Sequence, residues 1–217
     1  MVTRTSPGLN VSRGAAQGAA GGTFFLTFFG AYWGFTSAVF LSGAFQIISF
    51  LLVGLVTLAF LGRGVMLLRQ ARALPKEPSP EDGAQGRSIV RGFGIIFGLE
   101  IVLIALASML LSILPLSRFI APTTALIVGL HFIPLARLFR VSVGYVTGAL
   151  LCVLALIALV SLLFGVPLAG SSPYHWSLFV GLGATLVLWL TDLFMIRYGW
   201  KSIYRRGEES SLGAGGS

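Results

Sequence analysis

Six long apolar runs occupy most of this 217-residue chain, and each is long enough to cross a lipid bilayer as a helix. They cover residues 22–41, 44–68, 92–114, 119–136, 143–164 and 177–196. About 20 apolar residues in a helix span the roughly 30 Å of hydrocarbon in a bilayer. Backbone polar groups need partners in lipid, so runs of this kind form helices there. The sequence therefore predicts an all-α integral membrane protein, a bundle of six transmembrane helices.

The basic residues lie on one side of these runs. Of the 15 lysine and arginine residues, Arg118 lies between runs 3 and 4 and Arg63 lies near the end of run 2, and the others precede the first run, follow the sixth, or lie between runs 2 and 3 or runs 4 and 5. Such residues are enriched in cytoplasmic segments beside membrane spans. Both termini are therefore predicted to be cytoplasmic, in a multi-pass protein of the cell membrane. In this setting the net charge of +8 favours contact with anionic lipid headgroups rather than nucleic acid.

Little of the chain lies outside the predicted spans. Residues 1–21 are rich in glycine, alanine and serine and are predicted to form a disordered cytoplasmic N-terminal tail. Residues 201–217 form a cytoplasmic C-terminal tail, and the prolines and glycines of residues 73–88 predict a cytoplasmic loop. The transmembrane domain covers residues 22–200. No segment outside it is long enough to bury a soluble core.

Small residues at four-residue spacing recur along the spans. Examples are Gly30 and Gly34, Gly94 and Gly98, and Gly144 and Gly148. Because lipid tails are as apolar as leucine, helices in a membrane associate through close backbone approach at such positions. The pattern predicts tight packing, within one chain, in a homo-oligomer or against a membrane partner protein. Pro134 lies inside the fourth run and predicts a kink or local widening there.

Four ionisable residues lie inside the apolar runs: Arg63, Glu100, His131 and Asp192. Such residues are rare and costly in a membrane and are functional candidates by default. Their positions along the spans place all four in the cytoplasmic half of the bilayer. One interpretation is a polar cluster that binds an ion or a small solute, or relays protons. The other is structural: an ion pair that fixes helix register, or an arginine that reaches the headgroups.

Two further polar side chains, Tyr32 and Thr36, lie at mid-depth in the first run. They are predicted to line the cavity that the polar cluster would form. The sequence carries no HExxH, GxSxG, P-loop or CxxC motif, so it indicates no catalytic residues, metal ligands or cofactor. Its one cysteine, Cys152, cannot form an internal disulfide.

Three functions remain open from the sequence. The first is a permease or channel-like protein for an ion or small polar solute, with the polar cluster as its site. The second is a non-catalytic accessory or scaffold subunit of a membrane complex, in which the same residues pair in dry contacts. The third is an intramembrane enzyme acting on a lipid-like substrate. An enzyme needs a nucleophile or a metal beside the cluster, and the sequence shows neither.

Overall fold

The computed structural model describes residues 13–73, 80–139, 141–168 and 174–214, with side chains within 17–73, 88–139, 141–168 and 174–201. Six α-helices account for nearly all of these residues, and no strand is formed among them. The helices are α1 (Arg13–Ala38), α2 (Gly43–Ala73), α3 (Pro80–Ile113), α4 (Ile120–Phe139), α5 (Val143–Leu163) and α6 (Tyr174–Ala214). A 3-10 turn at Ser117–Phe119 leads into α4. The predicted all-α class is confirmed.

Several helices extend beyond the apolar runs that predicted them. The segments predicted as tails (1–21 and 201–217) and as a loop (73–88) are partly helical, because α1 starts earlier, α6 ends later and α3 begins inside the predicted loop. An apolar run marks the part of a helix that can lie in hydrocarbon, whereas polar residues can continue the same helix in water. The rest of those segments, residues 1–12, 74–79 and 215–217, lies outside the described residues.

The centre of the bundle is formed by α1 and α6. α1 packs along both α6 and α2, and α6 also contacts α5 and α4. α4 packs in turn against α5 and α3. The most apolar windows of α4 and α6 are 44% buried, against 6% for those of α2 and α3. α2 and α3 therefore turn most of their apolar surface outward, which is stable only against lipid.

Five helices, α2 to α6, are long and apolar enough to cross a membrane within the described residues. α1 is less apolar and is the most enclosed by its neighbours. Its buried residues include Thr23, Thr27 and Ser37. A helix covered by other helices needs less apolar surface than one that faces lipid. The fold is thus a multi-pass bundle of five apolar helices and a less apolar one, α1, which packs against α6 and α2.

Consecutive helices run antiparallel. Gly92 near the start of α3 lies against Leu138 near the end of α4, and Gly144 at the start of α5 lies against Ala136. We call the end of the bundle where α1 begins and α6 ends the terminal end, and the opposite end the far end. Arg118, beside α4, lies at the far end. The other basic residues with described side chains are in the terminal half: Arg63, Arg69, Arg72, Arg91, Arg137, Arg197 and Lys201.

Glycines permit close helix contacts in the centre of the bundle but not on α3. A Cβ added at Gly148 would lie 2.6 Å from the backbone oxygen of Gly129, so α4 and α5 touch at backbone level. Gly30, Gly34, Gly144 and Gly181 are similarly enclosed by neighbouring helices. Gly94 and Gly98 of α3 have nothing within 4 Å. The small-residue pattern therefore marks packing inside this chain for α1 and for α4 to α6, but not for α3.

Candidate functional site

Glu100 and His131 meet at the contact between α3 and α4. The carboxylate Oε2 lies 3.3 Å from the imidazole Nε2, and each side chain is only 4% exposed. The imidazole also approaches the backbone carbonyl of Ile96, one turn before Glu100 on α3. Glu100 is the only fully buried residue of α3 within residues 88–113. Every other residue of α3 in this range is at least partly exposed, so the one buried contact that anchors this helix is polar.

Aromatic rings close off this pair from the rest of the bundle. The ring of Phe97 lies 6.4 Å from His131 between centroids, and Phe132 lies 6.3 Å from it on the same helix. Phe97 also packs edge-on against Phe25 and Phe29 of α1. α3 therefore reaches α1 through phenyl groups. The Glu100–His131 contact lies in dry surroundings, where an unpaired polar group would be costly.

Asp192 lies in a different contact, between α6 and α1. Its side chain is fully buried, and the hydroxyl of Thr27 donates to Oδ2 at 2.5 Å. Thr23, one turn earlier on α1, faces the same carboxyl group. Neither the Thr23 hydroxyl nor Asp192 Oδ1 has a partner of good hydrogen-bond geometry. Thr23 is therefore the described donor nearest to the second carboxylate oxygen.

Arg63 joins neither carboxyl group. Its side chain is exposed, on the outer side of α2 toward the terminal end, where it lines a groove with Arg197. The predicted polar cluster therefore has to be corrected. The structure pairs Glu100 with His131, holds Asp192 by a threonine on α1, and leaves Arg63 at the surface. The sequence gives depth along each span but not which spans are neighbours, and the helix arrangement brings together only two of the four residues.

Tyr32 and Thr36 line a cavity, but it is not the predicted one, because none of the four ionisable residues lines it. This cavity lies at the far end of α1, between α1, α4 and α6, and has a volume of about 270 Å³. None of its lining side chains is charged. Its hydroxyl groups belong to Tyr32, Thr36, Ser37, Ser117, Thr124, Tyr174 and Ser177. We call it the hydroxyl cavity.

The hydroxyl cavity is smaller than typical pockets for drug-sized ligands, which start at about 300 Å³. Stacked rings of Phe40 and Tyr174, 5.7 Å apart between centroids, lie at its edge. Thr36 donates to the carbonyl of Tyr32 at 2.8 Å, and Ser37 donates to that of Trp33 at 2.7 Å. Because their protons are used within α1, these hydroxyls offer acceptor lone pairs to a ligand.

Further hydroxyl groups are buried beyond the cavity, toward the centre of the bundle. Thr185 of α6 is buried beside Gly34 of α1 and donates to its own helix at 2.8 Å. Two turns further, Thr191 and Thr147 of α5 lie 2.7 Å apart through their hydroxyl oxygens. Asp192 follows directly. We call Ser37, Thr185, Thr147, Thr191, Thr27 and Asp192 the hydroxyl file.

The threonines of spans 1 and 6 are the sequence feature that corresponds to the hydroxyl file. Thr23 and Thr27 are one turn apart on α1, and Thr185 and Thr191 lie on the same span as Asp192. Threonine in an apolar helix is usually explained by a bond to its own backbone, so no single position stood out. Ser117, Thr124 and Ser177 lie at span ends, where polar residues are ordinary.

Two other predicted features have simpler outcomes. α4 remains α-helical through Pro134 to Phe139, so the predicted local widening is not formed, and a bend stays a prediction. Cys152 is a free, partly buried thiol of α5. Within the described residues, no group of three or more His, Cys, Asp or Glu side chains could hold a metal ion.

Comparison with known proteins adds no assignment to this geometry. The chain matches no protein-family model, no curated protein and no solved structure. Its function therefore has to be argued from the cavity, the hydroxyl file and the two buried carboxyl groups.

Proposed function

We propose that the protein is a small permease or channel-like protein of the cell membrane that passes a small polar solute along the hydroxyl file. In this proposal α1 crosses the membrane together with α2 to α6, which makes six spans. Both termini are then cytoplasmic, as the distribution of basic residues predicts. The hydroxyl cavity then opens to the outside of the cell. The single observation that supports the proposal is that buried hydroxyl groups of α1, α5 and α6 recur at intervals between that cavity and Asp192.

The chemistry of the file favours a solute that donates hydrogen bonds. Thr36, Ser37 and Thr185 each donate to a carbonyl of their own helix, which leaves their lone pairs available. Asp192 Oδ1 is a further acceptor. Polyols, small amides and protonated amines carry several donors and little apolar surface. A solute without donors would leave these acceptors unpaired and would be rejected.

Passage requires movement of α1 relative to α6. The hydroxyls beyond the cavity are buried, so the structure corresponds to a closed state. Gly34 and Gly181 lie where the two helices touch, and glycine permits closely packed helices to shift without side-chain clashes. A transient separation of these helices would connect the hydroxyl cavity to Asp192.

Solute flux in proteoliposomes tests the proposal. Swelling or shrinkage after an osmotic step is followed by light scattering for glycerol, urea and methylammonium, against protein-free vesicles of the same lipids. Thr185→Val removes one hydroxyl of the file without changing its shape, and should lower the flux about threefold to tenfold, the effect of one lost hydrogen bond. Thr57→Val is the matched control, since Thr57 on α2 also donates to its own helix, at 2.6 Å, away from the file.

The outcomes are distinct. Flux above the vesicle background that falls in Thr185→Val but not in Thr57→Val supports the proposal. Equal flux in the parent protein, Thr185→Val and Thr57→Val would show that the hydroxyl file is not the pathway. Absence of flux in the parent protein for every solute would favour the accessory-subunit function, for which the dry Glu100–His131 contact is the supporting observation.

A further inference from the structure

The groove that contains Arg63 is separate from the proposed pathway. It lies between α2 and α6 in the terminal half of the bundle and has a volume of about 630 Å³. α2 and α6 both pack extensively on α1 but touch each other little, and a groove is left between them. Its apolar wall is formed by Ala59, Phe60, Leu193 and Ile196.

Two arginines from different helices lie along this groove. Arg63 comes from α2 and Arg197 from α6, and both side chains are exposed. Within the described residues the only contact between a basic group and a carboxylate is that of His131 with Glu100, so neither arginine pairs with a described carboxylate. Guanidinium groups bind phosphate oxygens with paired hydrogen bonds, and two of them facing one groove complement an anionic phosphate.

The position of the arginines along the bundle agrees with a headgroup site. Arg197 follows Asp192 by five residues, which is about 7.5 Å toward the terminal end at the rise of an α-helix. Trp200, one turn further, also lines the groove. Tryptophan is enriched at the level of lipid headgroups. The charged part of the groove thus lies at the interface, and the apolar wall extends from it toward the hydrocarbon.

We propose that this groove binds one anionic phospholipid, with its phosphate at Arg63 and Arg197 and an acyl chain along Phe60 and Leu193. A free inorganic anion would match the two guanidinium groups but would leave the apolar wall uncovered. A neutral lipid would cover the wall without matching the net positive charge. The phospholipid satisfies both parts, and α2 is one of the two helices that turn most of their apolar surface outward.

Native mass spectrometry of the full chain in a neutral detergent tests this site. The probes are phosphatidylglycerol and phosphatidylcholine with identical acyl chains, and inorganic phosphate as competitor. The variants are Arg63→Gln and Arg197→Gln, with Arg69→Gln as the matched control, since Arg69 is an exposed arginine of α2 that does not line the groove. Thermal unfolding of each variant verifies that it is folded.

We expect one phosphatidylglycerol molecule to be retained in preference to phosphatidylcholine. Each groove variant should weaken that binding about fivefold, the contribution of one basic residue near an anionic headgroup. Arg69→Gln should leave it unchanged. Three results would overturn the proposal: equal retention of both lipids, equal weakening by all three variants, or displacement of the lipid by millimolar phosphate, which would make the site one for a free anion. Failure here leaves the proposed flux untouched, because the groove and the file share no residue.

Discussion

Two carboxyl groups are buried among the side chains that the structure describes, and their surroundings differ. Glu100 contacts one imidazole and is enclosed by phenyl rings on an outer helix. Asp192 lies between the two central helices, where the hydroxyls of Thr27 and Thr23 on α1 face its carboxyl group. A buried charge in a membrane span is therefore not by itself a functional site. In the proposed function, Glu100 joins two helices and Asp192 faces the pathway.

The largest effect on stability is expected at the outer contact. Glu100→Ala leaves the His131 imidazole buried without its partner and removes the only fully buried side chain that α3 has within residues 88–113. Loss of one member of a buried pair costs about 3 kcal/mol. Unfolding in a mild detergent should show this loss as a lower melting temperature, and α3 should become accessible to protease first.

A paired replacement sharpens this prediction. In Glu100→Leu combined with His131→Leu, both polar groups are gone, and an apolar contact of similar volume can form. Replacement of a whole buried pair by apolar residues is often neutral or stabilising. The double variant should therefore regain most of the stability that Glu100→Ala loses. A double variant as unstable as the single one would mean that the contact contributes more than the joining of two helices.

The helices and the depth of residues along them could be predicted from the sequence, but which helix faces contact each other could not. The run lengths placed Glu100, His131 and Asp192 at comparable depth in the membrane. In the structure, Phe97 touches both His131 and Phe29. Phe29 follows Thr27, the hydrogen-bond partner of Asp192, by two residues. Depth depends only on position along one helix. Which faces meet depends on the rotation of every helix, and the phenyl groups that separate the two carboxyl sites come from α1 and α3.

A smaller effect is expected where helix backbones touch. Gly148→Ala brings a methyl group against the backbone oxygen of Gly129, which cannot move unless α4 and α5 separate. Overpacking of this kind costs about 1–3 kcal/mol. Gly98→Ala is the matched control on α3, where nothing lies within 4 Å, and its melting temperature should not fall. Equal destabilisation in both variants would show that Gly98 is covered by a second protein or a second copy.

The smallest stability effect is expected at the central carboxyl. Thr27→Val removes the hydrogen bond to Asp192 Oδ2, and single hydrogen bonds between membrane helices contribute about 1 kcal/mol. α1 and α6 remain joined by their close contacts at Gly30, Gly34 and Gly181. The melting temperature should fall only slightly. A loss as large as that in Glu100→Ala would make Asp192 a structural joint as well, and would end the contrast between the two sites.

The most direct test measures solute flux side by side in Asp192→Asn and in the Glu100→Leu/His131→Leu double variant. Both proteins are reconstituted at equal amounts of folded protein, and flux of methylammonium and glycerol is compared with the parent. If the hydroxyl file is the pathway, Asp192→Asn keeps the bond to Thr27 but loses the charge, so methylammonium flux falls by about fivefold or more, corresponding to about 1 kcal/mol. The double variant should retain the flux of the parent. Loss of flux in the double variant with full flux in Asp192→Asn would contradict the account.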